Sequence, residues 1–245
     1  MPRDKEIHMT KYLILIFGLL ISLGCKDKES VITIVDIGHL DRKGIAQEIS
    51  IINKHSPKVI GLDFLLTTDS LDKDIALAQA LSKAKNLVES SKLHGNNKVM
   101  INRWDSLERY HQKFRFGKHG FSNITITDDS VIVNELPMRQ YLKNEPVYAL
   151  SYMIAIMYND QLVNPAYKNN DQDIIFDKRS LSRHFKIISV KDLLNGDFDK
   201  KDLTGKIVLM GHVSDNEDSF YLDDKRTKRI SGVEIQASFI NAILN

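Results

Sequence analysis

Acidic side chains end two buried apolar segments of the sequence, and a third such segment ends at a glycine. The segment VITIVDIG contains Asp36, KVIGLDFLL contains Asp63, and KIVLMG ends at Gly211. Continuous apolar runs of this kind are typical of strands buried on both faces, as in a parallel sheet. Because open parallel sheets bind ligands beyond the carboxyl ends of their strands, we expect Asp36 and Asp63 to share one crevice.

Two carboxylates close together have a defined chemistry. Such a pair can bind a metal ion or an ammonium group, or it can hold one carboxyl protonated for acid-base work. The alternative for Asp36 and Asp63 is that each accepts hydrogen bonds from the amides of the loop or helix that follows it. The sequence leaves both interpretations open.

The loop after Gly211 reads HVSDNEDS and contains the side-chain types of a hydrolase triad. It lacks the G-x-S-x-G turn that exposes a nucleophile, and triads are recognised by geometry. A metal site built from His212, Asp215 and Asp218 has no H-E-x-x-H or calcium-loop spacing to support it. We therefore expect His212 and Asp218 to cap the loop or to contact a polar ligand.

Glu234 follows Gly232 at the predicted start of the last helix. A carboxylate at that place accepts hydrogen bonds from unpaired amides and interacts favourably with the positive end of the helix dipole. We expect Glu234 to cap the helix, with ligand contact as the alternative.

Segments with helical periodicity lie between the predicted strands. Ile45, Ile49 and Ile52 predict a helix between the first two strands, and a right-handed parallel crossover follows. A second helix is predicted in SLDKDIALAQALSKAK, with Asp72 as its cap and one buried face. The residues of that face are Ile75, Ala78 and Leu81.

The middle of the chain is less regular. The alternation in SNITITDDSVIVNE predicts an antiparallel hairpin that turns at Asp128 and Asp129. Pro146 suits the first turn of a further helix, whose buried face would hold Val147, Leu150, Ile154 and Met157. Val233, Ala237, Ile240 and Leu244 predict the buried face of the last helix. The fold class is α/β: a largely parallel sheet with helices on both faces and an antiparallel hairpin region in mid-chain.

The N-terminus has the anatomy of a secretory signal. An apolar run from Tyr12 to Leu23 follows Lys11 and stops before the polar segment KDKES. It is shorter than the roughly 20 residues of a membrane-spanning helix. Cys25 is the single cysteine and stands after ISLG, where the sequence resembles a bacterial lipobox. We expect lipidation at Cys25, with an uncleaved anchor or an ordinary signal peptide as alternatives, and Met9 as an alternative start.

These features divide the chain into a lipoprotein signal peptide (1–24), a tether (25–30) and one domain (31–245). The 34 basic and 32 acidic residues nearly cancel, so no charge pattern points to nucleic acid. The sequence contains neither G-x-G-x-x-G nor a phosphate-binding P-loop. We expect no cofactor and no nucleic-acid partner.

Six phrases resemble, in order, those of the CHASE type 2 domain, an extracytoplasmic sensory module of bacterial receptors. They are VDIG, SPKVIGLDFLL, LAQALSKA, SVKDLLNG, LTGKIVLMG and SGVEIQASFINAIL, and the domain that they span runs from about Val31 to Leu244. Two positions depart from the pattern. Gln236 stands where histidine is usual, and no threonine-proline turn follows Asp218.

The resemblance implies a sensor outside the inner membrane, of a kind commonly joined to histidine kinases, nucleotide cyclases or Ser/Thr kinases. No output domain follows Asn245 in this sequence, so we expect a stand-alone sensory lipoprotein of the bacterial envelope. It would bind a small ligand or an envelope protein and perform no catalysis. The tentative ligand residues are Asp36, Asp63, His212, Asp218 and Glu234. The alternatives are a metal-assisted envelope hydrolase using Asp36, Asp63 and His212, and a structural module that docks another envelope protein.

Overall fold

The computed structural model describes residues 30–69, 71–95, 104–127, 131–132, 135–163, 174–175, 181, 185–214, 218–223 and 225–245. The predicted signal peptide, Cys25, the predicted turn at Asp128 and Asp129, and Asp215 lie outside these residues. Helices within them are α1 (Arg42–Lys54), α2 (Leu71–Lys83), α3 (Leu150–Asn159), α4 (Val190–Asn195) and α5 (Gly232–Leu244).

The strands of the described residues follow in chain order. They are β1 (Ile32–Asp36), β2 (Val59–Asp63), β3 (Leu87–His94), β4 (Ser106–Glu108), β5 (Lys118–Phe121), β6 (Glu135–Leu136), β7 (Arg139–Leu142), β8 (Glu145–Tyr148), β9 (Ile174–Ile175), β10 (Lys186–Ile188), β11 (Ile207–Gly211), β12 (Ser219–Tyr221) and β13 (Arg229–Ser231).

Seven strands form the main sheet, in the order β10-β1-β11-β2-β3-β4, with β5 also paired to β3. Every pairing in it is parallel except that of β3 with β4. The three apolar segments singled out in the sequence are β1, β2 and β11, which lie side by side at the centre. The predicted α/β class with a largely parallel sheet is confirmed.

Helices cover both faces of the sheet because each central strand is apolar on both sides. On one face, Val35 belongs to a core cluster with Ile49 of α1 and Leu81 of α2. On the other, Ile34 belongs to a cluster with Ile154 of α3 and Val233 of α5. The alternation along β1 therefore assigns α1 and α2 to one layer, and α3 and α5 to the opposite layer.

A third cluster joins α3 and α5 to the antiparallel part of the chain, and it includes Phe121, Val147 and Phe239. Its hairpin consists of β7 and β8, with Gln140 paired to Val147. A separate antiparallel bridge joins Ile126 to Ile132, on either side of the predicted turn. Antiparallel pairing in mid-chain is confirmed.

Two helix boundaries predicted from the sequence are wrong. Glu145–Tyr148 is a strand, and α3 begins only at Leu150, because Val147 packs into a core through strand pairing. Helix α2 begins at Leu71, so Asp72 lies inside it, and Ile75 is 65% exposed. The buried carboxylate of Asp74 forms an ion pair with Arg42 of α1 and turns that side of the helix inward, which leaves Ile75 outside.

The remaining helix predictions are confirmed. Ile45, Ile49 and Ile52 are buried on α1. On α5, Val233, Ala237 and Ile240 are fully buried and Leu244 is half-buried. Each helix in the described residues is too short or too polar to cross a membrane.

Candidate functional site

Three residues end the central strands at one level of the sheet. Gly211 of β11 pairs with Asp36 of β1 on one side and with Asp63 of β2 on the other. A methyl group on Gly211 would lie 2.8 Å from Cβ of Val233, so the glycine lets α5 pack against the strand end. Asp36 and Asp63 therefore flank the point where the last helix meets the sheet.

A cavity of about 490 Å³ opens beyond the carboxyl ends of β2 and β5, beside the second half of β3. Its apolar wall consists of Phe64, Leu65, Ile124, Ile126 and Phe220. The rest of the lining comprises Asp63, Ser90, Lys92, Ser122, Asn123, His212, Asp218 and Gly232. The lining therefore includes three of the five predicted ligand residues, Asp63, His212 and Asp218.

One end of the cavity is acidic. Burial, together with the negative charge of Asp218, raises the pKa of Asp63 to about 8. Desolvation disfavours the ionised carboxyl, and a second carboxylate nearby adds repulsion. Both effects favour the protonated form of Asp63 at neutral pH.

A second wall of the cavity, next to Asp63, is built by β3 and the segment that leaves β5. Ser90 and Ser122 share a hydrogen bond of 2.8 Å between their hydroxyl oxygens. The side-chain amide of Asn123 donates to Leu93 O at 3.0 Å and accepts from Leu93 N at 2.8 Å. These contacts fix Ser122 and Asn123 beside β3, in the way that hydrogen bonds fix a neighbouring strand of a sheet.

The N-terminal half of α5 is joined to two parts of the cavity lining. On the acidic side, the amide of Gly232 donates to the carbonyl oxygen of Asp218 at 3.0 Å. A methyl group on Gly232 would lie 2.6 Å from Asp218 Oδ2, so a side chain there would have to displace the Asp218 carboxylate. On the other side, Gln236 Nε2 donates to Ser122 O at 3.1 Å. Gln236 is the residue that departs from the family pattern, and it is buried here.

Glu234 caps α5. Ser231 is the N-cap residue, and the Glu234 carboxylate accepts from the Ser231 amide at 3.1 Å, which completes a capping box. Glu234 is not part of the cavity lining described above. The capping interpretation is confirmed for this residue.

Asp36 faces different surroundings from Asp63. Its Oδ1 accepts hydrogen bonds from the amides of Gly38 and Val213, both at 3.1 Å, and it does not line the cavity. The prediction that Asp36 and Asp63 share one crevice is therefore wrong. The physical reason is that the carboxylate of Asp36 accepts hydrogen bonds from the backbone amides of the loops that follow β1 and β11.

A buried carboxyl that the sequence did not single out lies close to Asp36. Glu48 of α1 is fully buried, and neither of its carboxyl oxygens has a hydrogen-bond partner among the described residues. Burial and the charge of Asp36 raise the pKa of Glu48 to about 8. Glu48 stands between Ile45 and Ile49 in the apolar stripe of the helix. An acidic residue in such a stripe is the sequence signal that could have identified it as a buried carboxyl.

The described residues contain no cluster of three His, Cys, Asp or Glu side chains that could hold a metal ion. Asp63, His212 and Asp218 line one cavity without forming such a cluster. The hydrolase alternative needs Asp36 beside Asp63 and His212, and Asp36 bonds to backbone amides outside the cavity.

Sequence reasoning missed Ser90, Lys92, Ser122 and Asn123. A signal was present for the first two, because the run from Glu89 to Lys92 is polar within a strand that is otherwise largely buried. No local signal marks Ser122 or Asn123, because their place in the wall depends on pairing with β3, some 30 residues earlier.

The chain matches the family model of the CHASE2 domain over residues 27–245. It belongs to that family, whose members are extracellular sensory domains. Searches of curated proteins and of solved structures find no match.

Proposed function

We propose that this chain is a sensory lipoprotein of the bacterial envelope that binds a small ligand in the cavity beside Asp63 and is not itself an enzyme. The observation that carries the proposal is the position of the cavity. It lies at the carboxyl ends of parallel strands, where α/β sheets bind ligands, and it combines an apolar wall with a few converging polar groups.

Signal transmission would run through α5. Asp218 on one side of the cavity and Ser122 on the other both bond to this helix, through Gly232 and Gln236. A ligand that changes the distance between the two sides would alter how α5 packs against Gly211. Such a ligand shifts the helix only as far as its affinities for the two arrangements differ.

A thermal-shift screen of small molecules against residues 26–245 tests ligand binding. We expect a ligand that raises the melting temperature of the unmodified domain and has a much smaller effect on Asp63→Ala. Asp36→Ala is the matched control, because Asp36 ends the equivalent strand position outside the cavity. A ligand that protects Asp63→Ala as strongly as the unmodified domain would place binding elsewhere and contradict the proposal.

Hydrogen exchange tests the transmission step. With ligand bound, we expect altered exchange of the amides at the start of α5, and a smaller change in Gln236→Leu, which lacks the bond to Ser122 O. Unchanged exchange in α5 with ligand bound would remove the helix from the mechanism.

The lipid anchor has its own test. The full-length chain is produced in a bacterium with lipoprotein processing, and its N-terminus is analysed by mass spectrometry. We expect residues 1–24 to be absent and Cys25 to carry acyl chains, and we expect Cys25→Ala to leave the membrane fraction. An unmodified Cys25 within an uncleaved chain would contradict the lipoprotein assignment.

A further inference from the structure

Three buried polar atoms near β3 have no hydrogen-bond partner. They are Ser91 Oγ, His119 Nδ1 and Arg109 Nε, and none of them finds a partner in the part of the chain that the structure describes. Buried polar groups are paired in the great majority of cases, because an unpaired one has lost its hydrogen bonds to water. Three such atoms in one neighbourhood therefore indicate that a molecule from outside the chain completes their hydrogen bonding.

The strand register places two of these atoms on one face of the sheet. Glu89 pairs with His119 of β5, and Ser91 is two residues further along β3. Residues two apart along a strand share a face, and so do paired residues of neighbouring strands. Ser90 and Lys92 line the cavity described above. The alternation along β3 therefore turns Glu89, Ser91 and His119 to the other face of the sheet.

Arg109 belongs to the same neighbourhood. The last residue of β4 pairs with Lys92 in antiparallel register, so Arg109, which follows it, comes beside Ser91. The charge of Arg109 also acts on His119, because burial and the positive charges of Arg109 and Arg115 lower the pKa of the imidazole to about 4. The imidazole of His119 is therefore neutral at pH 7.

Two guanidinium groups face a single carboxyl here. Burial raises the pKa of Glu89, and two backbone amides and the charges of Arg109 and Arg115 act against that rise. Even with Glu89 ionised, these three side chains together carry one positive charge. Coulombic attraction in a partly buried place therefore favours an anion beside the two arginines.

The backbone holds this part of the chain in place before any ligand binds. Glu89 Oε1 accepts hydrogen bonds from the amides of Phe116 at 2.7 Å and Gly117 at 2.8 Å. Arg115 Nε donates to Tyr110 O at 2.6 Å. The side chain of Arg115 is exposed, so an ion reaches the cluster from solvent. Donors fixed in this way need little ordering when a ligand arrives.

We propose that a small oxyanion, a carboxylate or a phosphate group, binds beside Arg109 and Arg115 and supplies the acceptor that Arg109 Nε and Ser91 Oγ lack. Guanidinium groups bind both kinds of oxyanion in paired, charge-assisted hydrogen bonds. The site lies on the face of β3 opposite the cavity, so the inference does not rest on the proposed function. It gives the domain a second binding site.

Other occupants fit these residues less well. A bound water would pair with the three orphaned atoms but would leave the excess positive charge unmatched. A cation would be repelled by the two guanidinium groups. A metal ion finds no cluster of three His, Cys, Asp or Glu side chains among the described residues.

Titration of the full-length chain with simple oxyanions tests the site. Sodium phosphate and sodium acetate are added at pH 7, with sodium chloride at matched ionic strength, and calorimetry and the melting temperature report binding. We expect phosphate or acetate to bind at millimolar concentration and to raise the melting temperature above the chloride control. Tighter binding of phosphate assigns a phosphate group to the ligand, and tighter binding of acetate assigns a carboxylate. No effect beyond that of chloride overturns the inference and leaves water as the occupant.

Substitution of the arginines locates the ion. We expect Arg109→Gln and Arg115→Gln each to weaken oxyanion binding roughly tenfold, the size of one charged hydrogen bond. Lys118→Gln is the matched control, because it removes a positive charge from an exposed position next to His119 but on the other face of β5. This control should bind like the unmodified chain.

Two results of these variants contradict the site. Equal weakening in Lys118→Gln and in both arginine variants would reduce the effect to net charge and overturn the inference. Unchanged affinity in Arg115→Gln would also overturn it. Arg115 is exposed, so its variant keeps the test decisive even if Arg109→Gln does not fold.

Discussion

Two carboxyl pairs flank the central strand of the sheet, and they differ in what surrounds them. Asp36 and Glu48 lie on one side, where backbone amides bond to Asp36 and Glu48 is fully buried. Asp63 and Asp218 lie on the other side and line a cavity. In each pair burial and a neighbouring charge raise one pKa to about 8. A raised pKa therefore marks crowding of buried acids, and only access to a cavity distinguishes the proposed ligand site from the pair of Asp36 and Glu48.

The largest expected effect is the contribution of Glu48 to the pH dependence of the free energy of unfolding. In the unfolded chain this carboxyl ionises near its usual pKa of 4.5, whereas in the folded chain it keeps its proton up to about pH 8. The folded state thus binds more protons between these values, and stability falls as pH rises from about 4.5 to 8. Because each pKa unit corresponds to about 1.4 kcal/mol, the loss is on the order of several kcal/mol.

Replacement of Glu48 tests this linkage. We expect Glu48→Gln to be more stable than the unmodified domain at pH 8 by a few kcal/mol and to differ much less at pH 4.5. Urea unfolding at the two pH values measures the difference, with Glu145→Gln at an exposed position as control. Parallel pH profiles of the two proteins would show that Glu48 does not set the pH dependence.

Gly211 separates the two pairs, and its replacement affects both. Gly211→Ala places a methyl group 2.8 Å from Cβ of Val233, so the start of α5 must move away from the sheet. We expect a loss of about 1–3 kcal/mol in the free energy of unfolding, as for overpacked cores. The variant should also lose ligand-dependent protection of α5. Wild-type stability in this variant would mean that the helix adapts without cost.

Alanine at the two equivalent acids should have opposite consequences. Asp36→Ala leaves the amides of Gly38 and Val213 without their acceptor, so we expect a loss of about 1–3 kcal/mol in stability and intact ligand binding. Asp63→Ala removes a desolvated carboxyl, so stability should be retained while ligand binding is lost. Urea unfolding and calorimetry of both variants measure the two effects. If both variants lose binding equally, the distinction between a structural pair and a cavity pair fails.

The smallest expected effect on stability is that of replacing Gln236. Gln236→Leu removes one hydrogen bond from a buried side chain to Ser122 O, and we expect about 1 kcal/mol of destabilisation, measured by thermal unfolding. Ser238→Ala, which removes a bond within α5 itself, is the matched control. If Gln236→Leu loses much more stability than the control, the bond to Ser122 O holds the fold together and does more than transmit a signal.

The parallel core could be predicted because its signals are local. The apolar runs of β1, β2 and β11 and the spacing of Ile45, Ile49 and Ile52 fix the strands and the first helix without knowledge of the rest of the chain. The start of α3 could not be predicted, because pairing of Val147 with Gln140 overrides the helical periodicity of the segment. The same holds for α2, where the ion pair of Asp74 with Arg42 of α1 decides which face is buried.

By itself the sequence determined the α/β class, the family, and the acids and glycine that end the central strands, since runs, periods and motifs are properties of neighbouring residues. Only the tertiary structure decided that Asp63 and Asp218 line the same cavity, whereas the carboxylate of Asp36 accepts hydrogen bonds from loop amides. The physical reason is that the two acids end equivalent strands, and their difference comes from residues more than 150 positions away, Asp218 for one and Val213 for the other.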